Sequence, residues 1–534
     1  MDLHQIIEQL AADLHNAQND DVAYGRRLPA ECNITSTPAD LNRFSAASLD
    51  NLIDRFSNRK RKQPETTTDR NRTGRRRLST DEILKLAGAR IIQSSTWTAE
   101  DDGAVNVPLP DTVDDHRDGI ITPEESKNVE LVEYLLRSAE KFGKGEFGQA
   151  SGLLDFCETL GPRDLQTGDP IQRAAYYFCN ALREKMTAEE NNRNSNTTVS
   201  ASVEARKVVV LPAGWEYYFH GRVPFFMASQ MAGVQAVLES VWAEKRVHVV
   251  DLRIRSGLAM IALIQALSGR GNEAPQLELL KVTAVADDES EVEVWRETGV
   301  RLASFASEMN VPFAFKIAKV SQVLGLRKTQ LQINSKEATV VYSEYALSPL
   351  ISTPSRLHAL MRLVKSIRPR LMVVVETEAN HNSPDFGHRF VESLFTAAAC
   401  FDCLAECCAH DDPAGMREAV GARFLGERIR NVVAAEGAER VVRDVRIGVW
   451  RKYFARCGML EIELSELAVR HARLVVNRFP CGAACVVGAE GKSVVMGWKD
   501  TPLLCVSTWK FVGPKKARAA VEKKQRRRSG KRNG

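Results

Sequence analysis

The sequence predicts an α/β protein built on a doubly wound parallel sheet, with a helical layer beside it. From about residue 245 onward, short and continuous apolar runs alternate with longer amphipathic segments. Continuous runs are typical of parallel strands buried on both faces, and the alternation requires right-handed crossovers that cover both faces with helices. Several helical patterns precede the first run, so we expect a separate helical layer.

The helical layer is predicted from four segments with apolar residues at helical spacing. A polar stretch at 190–202, rich in Asn, Ser and Thr, is expected to be a loop between two of them. The four predicted helices are 128–143, 147–161, 170–188 and 224–243.

The sheet begins with the run VHVVDLRI at 247–254, which is apolar and ends in charge, as a buried parallel strand should. Later runs repeat this pattern and are separated by helical segments. The further predicted strands are 277–285, 313–317, 339–343 and 371–375, followed by two β-rich runs at 481–488 and 493–508. The helices predicted within this part are 258–268, 291–309, 387–409, 417–435 and 444–457.

The residues on either side of this folded part have a different composition. Residues 1–126 have few apolar anchors and are predicted to be largely disordered, with short helices near 3–14 and 79–93. The predicted organisation is an N-terminal region at 1–126, a folded domain at 127–511 (helical part mainly 127–240, α/β core about 245–511) and a basic disordered tail at 512–534.

Composition narrows the class of protein. Of the 534 residues, 44% are hydrophobic and 26% are charged, which is typical of a globular protein and excludes collagen-like or wholly disordered chains. No apolar run is long enough to cross a bilayer and the N-terminus shows no secretory signal, so we expect no membrane role. Eleven irregularly spaced cysteines do not indicate a disulfide framework, which favours a reducing compartment inside the cell.

The net charge of +5 conceals two strongly basic segments. Residues 59–77 carry +7 and residues 515–534 carry +9, so the rest of the chain carries −11. Basic clusters in flexible segments are recognised by nuclear import receptors or contact nucleic-acid phosphates, although they can also serve only solubility. Two such clusters in one chain favour nuclear import. The residues assigned to this role are Lys60, Arg61, Lys62, Arg75, Arg76, Arg77, Lys523, Lys524, Arg526, Arg527 and Arg528.

A strand followed by Asp251 and Gly257 is a pattern found at nucleotide-binding βα turns. Such sites need several glycines so that backbone N–H groups can approach a phosphate, whereas this loop has one glycine and carries Arg253 and Arg255. Two aspartates at 287–288 end the next strand, where an acid can hold a ribose. We expect Asp251 to anchor loops by hydrogen bonds, and we predict no cofactor.

A cluster of cysteines with one histidine is the only candidate metal site in the sequence. Structural zinc usually draws its ligands from two separated elements, whereas three of these cysteines share one face of a predicted helix. Cysteine also packs well as a small buried hydrophobe. Core packing is therefore favoured and no metal is predicted. The cluster consists of Cys400, Cys403, Cys407, Cys408 and His410.

Four polar residues, Glu376, Glu378, Asn380 and His381, follow the strand LMVVV at the sheet edge where α/β enzymes hold catalytic groups. A carboxylate beside a histidine can perform acid–base chemistry. No nucleophile motif or metalloprotease motif accompanies these residues, so the favoured interpretation is loop anchoring at the strand end. No catalytic residue is predicted.

Taken in order, these segments resemble the GRAS family of plant transcriptional regulators, and the likeness covers about residues 127–511. The matching segments are 128–210 (first leucine-rich region), VHVVD at 247–251 (VHIID motif), 295–315 (second leucine-rich region), 368–394 (PFYRE region), 426–459 (RVER part) and GWKDTPLLCVSTWKF at 497–511 (terminal SAW motif). The residues that anchor these motifs are His248, Asp251, Glu376, Asn380, Trp498 and Trp509. The acidic DELLA-type degron motifs are absent from 1–126, which indicates a non-DELLA member.

The resemblance implies a methyltransferase-like, Rossmann-type sheet under an α-helical cap. It also implies a nuclear protein that forms homo- or heterodimers with other GRAS proteins and modulates transcription through DNA-binding transcription factors. Leu131, Leu135 and Leu136 are predicted to support the cap helix and its dimer face. The segment LSTDEILKLAGARIIQ at 78–93 resembles members that act in plant development or root symbiosis.

Two alternative functions stay open. An S-adenosylmethionine-dependent methyltransferase would bind its cofactor at the 251–257 loop. A direct sequence-specific DNA-binding factor would need a basic groove on a body that is acidic overall. Nucleic acid could also be contacted through partners or by the basic tail.

Overall fold

The structure, a computed structural model, describes residues 77–97, 121–161, 168–194, 216, 219–270, 274–286, 289–319, 329–408 and 416–511. The predicted helix near 3–14, most of both basic segments, the aspartates at 287–288 and His410 lie outside these residues. None of the described helices is both long and apolar enough to cross a bilayer.

Hydrogen bonds join the starts of two helices of the cap, α1 (Thr80–Trp97) and α2 (Pro123–Gly143). The Thr122 hydroxyl accepts the N–H of Glu125 at 3.2 Å, and the Glu125 carboxylate accepts the N–H of Thr122 at 2.8 Å. The same carboxylate accepts the N–H of Leu78 at 2.6 Å, just before α1. One capping box therefore fixes the start of α2 and positions α1 against it.

Two further helices complete the cap, α3 (Phe147–Leu160) and α4 (Pro170–Asn194). The predicted helices at 128–143, 147–161 and 170–188 correspond to α2, α3 and α4. The predicted loop at 190–202 begins later than expected, because α4 continues to Asn194. The side chains of Glu190 and Asn191 are exposed there, because this end of α4 extends beyond the hydrophobic core. Polar residues are compatible with such an exposed helix end.

One sheet of nine strands is present in the described part of the chain, in the order β3-β2-β1-β4-β5-β9-β8-β7, with β6 paired to β9. The first five strands are parallel, and the order reverses between β1 and β4, where ligands of such sheets usually bind. The last strands join antiparallel. The strands are β1 (Arg246–Asp251), β2 (Leu279–Ala286), β3 (Phe313–Lys319), β4 (Ala338–Glu344), β5 (Leu371–Thr377), β6 (Met459–Ile462), β7 (Cys485–Glu490), β8 (Ser493–Trp498) and β9 (Thr501–Phe511).

Helices cover both faces of the sheet, so the predicted doubly wound α/β fold is confirmed. They are α5 (Pro224–Val241), α6 (Leu258–Ser268), α7 (Glu289–Glu308), α8 (Pro354–Ile367), α9 (Phe386–Cys407), α10 (Met416–Val420), α11 (Glu427–Val433), α12 (Ile447–Arg456) and α13 (Glu466–Asn477). A π-helical turn, Gly421–Gly426, joins α10 to α11, and a 3-10 turn, Ser348–Ser352, precedes α8.

Successive strand residues serve two hydrophobic cores, one on each face. Val249 belongs to the core shared with the cap, α5 and α6, whereas Val250 belongs to the core under α8 and α12. In the second core Phe454 stacks on Trp450 at a ring-centroid distance of 5.5 Å and contacts Trp509 at 4.6 Å. Side-chain alternation along a strand therefore determines which core each residue joins.

Three features of the carboxyl-terminal part differ from the sequence prediction. β6 and α13 were not expected, and the predicted run 493–508 is a hairpin of β8 and β9. The chain reverses at Lys499, which adopts a φ of +50°. Lys499 and Asp500 form this turn, and Asp500 is the turn residue that divides the run in the sequence.

Candidate functional site at the carboxyl edge of the sheet

The loop after β1 is held by its own residues. Gly257 adopts a φ of +77° where α6 begins, and a Cβ there would lie 2.8 Å from the Thr298 Cγ2 atom, so this position requires glycine. The Asp251 carboxylate accepts the N–H of Arg253 at 2.9 Å. The prediction that Asp251 anchors loops is confirmed.

Glu216 takes up the hydrogen-bond donors of this loop. Its carboxylate accepts Arg255 Nε at 2.6 Å and the N–H of Ser256 at 3.0 Å. These donors lie immediately before α6, at the place where a nucleotide phosphate binds in cofactor-binding sheets of this type. The chain's own carboxylate therefore stands where an anionic ligand group would have to bind, so the geometry does not favour a cofactor at 251–257.

Buried acids surround Arg255. Glu344, at the end of β4, lies 3.9 Å from the Arg255 Nη1 atom and accepts Gln230 Nε2 at 3.1 Å. Burial raises the pKa of Asp251 to about 7, although the N–H of Arg253 opposes this shift, and burial also raises the pKa of Glu344. The Arg255 guanidinium thus faces more than one carboxyl group in a buried site, and burial makes ionisation of each of these acids costly.

The polar residues after β5 anchor neighbouring segments. Glu376 accepts the N–H of Leu347 at 2.8 Å and the Ser348 hydroxyl at 2.7 Å, and burial raises its pKa to about 7 despite these bonds. Glu378 accepts the N–H of Ile447 at 2.9 Å, which fixes the start of α12. The N–H of Asn380 donates to Glu392 at 3.2 Å. These hydrogen bonds hold the segments that begin at Leu347 and Ile447 against the end of β5.

His381 belongs to a buried ionic group that joins two distant segments. Asp444 accepts His381 Nδ1 at 2.8 Å and Arg428 Nη2 at 2.5 Å. Burial alone would raise the pKa of Asp444, but the charge of Arg428 and the bond from His381 lower it to about 2. An ionised carboxylate can only accept, so Nδ1 of His381 carries a proton and donates it to this bond.

A cavity of about 180 Å³ lies at the carboxyl ends of β4 and β5, under α9 and the π-helical turn. Its wall is largely apolar and includes the rings of Phe219 and Phe424. The polar part of the wall includes Tyr345, His381 and Arg428, together with Arg253, Arg255, Glu376 and Asp444. This cavity is the candidate small-molecule site of the described residues, because concave, mostly apolar sites with a few polar groups are typical of ligand pockets.

Three of the predicted motif anchors lie away from this cavity and hold the sheet together. His248 is fully buried, and its Nε2 lies 2.8 Å from the Thr283 hydroxyl of the neighbouring strand. Burial lowers the pKa of His248 to about 3, so it is neutral. The Trp498 indole N–H donates to Asp402 at 2.7 Å, and that of Trp509 donates to the Ser507 hydroxyl at 2.9 Å.

Leu131, Leu135 and Leu136 are core residues of the cap. They are 0%, 0% and 2% exposed, and they face α1, α3 and α4 rather than the surface. As supports of the cap helix they lie where the sequence predicted, but a partner cannot touch them while the cap is folded. The outer surface of the same hairpin carries Tyr134 stacked on Phe156 at 5.3 Å, and Phe156 is 56% exposed.

The remaining predicted site residues fall into two groups. Among the assigned basic residues, only Arg77 is described, and it is exposed. In the cysteine cluster Cys403 and Cys408 are buried, as core packing predicts, and Cys407 Sγ lies 2.7 Å from Cys481 Sγ. No set of three or more His, Cys, Asp or Glu side chains in the described ranges is arranged to hold a metal ion.

Sequence reasoning missed the residues that close this site, namely Glu216, Tyr345, Arg428 and Asp444. Tyr345 directly follows β4, and a polar residue at a strand end is a usable signal. The others have no local signal, because the two acids meet their partners 39 and 63 residues away along the chain.

The raised pKa of Asp251 predicts a stability that falls as the pH rises. Its pKa is about 7 in the folded protein against 3.8 when free, so the folded state keeps a proton that the unfolded state releases. Between these values the free energy of unfolding should fall by about 1.4 kcal/mol per pH unit relative to Asp251→Asn, which cannot titrate. Denaturant titrations from pH 4 to pH 8 measure this difference. The exposed Asp155→Asn is the control, and a pH-independent difference for Asp251→Asn would refute the assignment.

The architecture defines a class of protein: a Rossmann-type sheet under a helical cap, with the nucleotide-binding turn closed by the chain's own carboxylate. Within this class the chain belongs to the GRAS domain family, which matches residues 131–510. The family and the fold predicted from the sequence are both confirmed.

Known proteins similar to this chain include several DELLA proteins. DELLA protein GAIP of Cucurbita maxima is 28% identical over 395 residues, which cover 73% of this chain and 64% of that protein. DELLA protein SLR1 of Oryza sativa subsp. indica is 30% identical over 407 residues, covering 73% and 63%. This chain therefore spans less than two thirds of the length of either relative. DELLA protein GAI of Arabidopsis thaliana is 26% identical over 526 residues, covering 96% and 91%.

A solved structure shares the fold. The crystal structure of SCL7 in Oryza sativa superposes with a TM-score of 0.62 at 24% sequence identity. The match covers 71% of this chain and 99% of that chain.

Proposed function

We propose that this protein is a nuclear transcriptional regulator of plants that acts as a protein-interaction platform. The observation that carries the proposal is its membership of the GRAS domain family over residues 131–510, together with its similarity to DELLA proteins. A binding role is also supported by the loop after β1, where Glu216 takes up the donors that a nucleotide cofactor would use.

The cap is the proposed surface for homo- or heterodimers with other GRAS proteins. Its buried leucines, among them Leu135, hold α2 in place, and the exposed Phe156 with its neighbour Tyr134 forms an aromatic patch outside them. Aromatic side chains are enriched among the residues that dominate binding energy at interfaces. We also propose that the folded domain begins at residue 127 and ends at residue 511.

DNA-binding transcription factors are the second proposed class of partner. The chain outside its two basic segments carries −11, so DNA phosphates repel it on average. The basic runs at 59–77 and 515–534 are proposed to direct nuclear import, and the tail adds a contact with DNA that does not depend on base sequence. Plant development or root symbiosis is the proposed setting.

A salt series of DNA binding tests how the protein reaches its genes. We compare the full chain with a variant in which five tail residues, Lys523, Lys524, Arg526, Arg527 and Arg528, are changed to Gln. Loss of five phosphate contacts should lower the slope of log affinity against log salt by about 4. Each of the two proteins should bind duplexes of unrelated sequence with the same affinity. Sequence-selective binding that persists in the variant would show that the acidic body itself reads DNA, against the proposal.

A further inference from the structure

The cavity under α9 and the π-helical turn contains polar atoms that have no hydrogen-bond partner in the described part of the chain. The Tyr345 hydroxyl and the His381 Nε2 atom are both buried, and neither has a hydrogen-bond partner among the described residues. Both residues line the same cavity. Buried polar groups are nearly always hydrogen-bonded, and leaving one unpaired is costly, so two unpartnered atoms in residues that line one cavity indicate a missing partner.

The charged groups of the wall are, by contrast, largely paired. Arg428 is held by Asp444, Arg255 by Glu216, and Arg253 donates to the Tyr345 carbonyl at 3.1 Å. An anionic ligand would have to compete with carboxylates already in place. The atoms left for a ligand are the Tyr345 hydroxyl and the His381 Nε2 atom.

The two unpartnered atoms specify what the ligand must offer. His381 Nδ1 is bonded to Asp444, so Nε2 is the ring nitrogen left for a ligand. A ligand hydroxyl both donates and accepts, so it can pair with Nε2. The Tyr345 hydroxyl can donate or accept, so one ligand hydroxyl can pair with either atom.

The volume and lining determine the rest of the ligand. A cavity of about 150 Å³ lined by aliphatic and aromatic side chains stays dry and binds benzene. This cavity is slightly larger, at about 180 Å³, and its apolar wall includes Phe219, Phe424, Ala397 and Leu504. The space therefore suits one substituted ring.

We infer that the cavity under α9 and the π-helical turn binds a neutral, largely apolar small molecule of about one ring that carries a hydroxyl group, held by Tyr345 and His381. The site lies between β4, β5, α9 and the π-helical turn, so its occupancy would couple α9 to the sheet. Its wall includes Arg253 and Arg255 of the 251–257 turn, where Glu216 takes up Arg255 Nε and the N–H of Ser256.

Calorimetric titration of the full chain with p-cresol and with toluene tests this inference. The two probes share ring and methyl group and differ by the hydroxyl. We expect saturable binding of one p-cresol per chain, at least fivefold tighter than toluene. Absence of saturable p-cresol binding, or equal affinity for both probes, would overturn the inference.

Two variants locate the binding. Tyr345→Phe removes only an unpartnered hydroxyl, so the ligand-free protein should remain as stable as the parent while its preference for p-cresol over toluene decreases. Ala397→Phe fills the cavity and should abolish binding of both probes. Tyr453→Phe, outside the cavity, is the matched control and should bind as the parent does. An unchanged preference in Tyr345→Phe would exclude this site even if Ala397→Phe fails to fold.

Discussion

Leu135→Asp should unfold the helical cap. Leu135 is fully buried between α2 and its neighbours, and the substitution both removes an apolar side chain and introduces a carboxyl group with no partner. Loss of a buried leucine alone costs about 2–5 kcal/mol, and burial of an unpaired polar group adds to it. We expect a loss of at least about 4 kcal/mol, comparable to the whole stability of many domains. Denaturant unfolding followed by circular dichroism measures it.

The matched control for this substitution is Phe156→Asp on the outside of the same cap. Phe156 is 56% exposed and stacks only on Tyr134, so we expect a loss of about 1 kcal/mol and a folded protein. Sedimentation of this variant then tests the proposed dimer face without disturbing the core. A Leu135→Asp protein that is folded and as stable as the Phe156→Asp protein would contradict the account of the cap.

Asp444→Asn should destabilise the domain by about 3–5 kcal/mol. The substitution leaves the Arg428 guanidinium and the His381 imidazole without the buried charge that pairs them. Removing one partner of a buried ion pair is more costly than the pair itself is stabilising, because the remaining charge is uncompensated. Thermal and denaturant unfolding at pH 7, where Asp444 is fully ionised, measure the change.

Glu427→Gln is the control for Asp444→Asn. Glu427 lies next to Arg428 in sequence, but its side chain is 45% exposed and its ion pair with Arg430 is 3.7 Å long. Exposed ion pairs contribute at most about 1 kcal/mol, so this variant should resemble the parent. Similar losses in both variants would show that Asp444 acts through surface charge and not through the buried group.

The strands of the parallel sheet could be predicted because their signal is local. The runs that form β1 to β5 are continuous and apolar, and the observed bounds differ from the predicted ones by at most three residues. The four-residue β6 has no such signal, since its conformation depends on pairing with β9. Whether a short segment forms a strand depends on its pairing with distant segments, and a single sequence does not show that pairing.

The site could be predicted only where a residue acts through its immediate neighbours. Asp251 holds the N–H two residues later, so its anchoring role follows from position alone. The Asp444 carboxylate meets His381 across 63 residues, and Glu216 meets Arg255 across 39. The placement of Leu135 in the core follows from its helical spacing. The partner face of the cap could not be predicted, because helical periodicity alone does not report which side chains are exposed to solvent.

Tethering the protein to a promoter tests the central claim most directly. The full chain is fused to a foreign DNA-binding domain, and transcription of a reporter carrying that domain's site is measured in plant cells. An interaction platform should change expression relative to the DNA-binding domain alone. The change should persist in the variant with Gln at the five tail positions, because tethering replaces any DNA contact, and it should decrease in Phe156→Asp. Unaltered expression with a folded, nuclear fusion protein would contradict the claim that this chain regulates transcription through its partners.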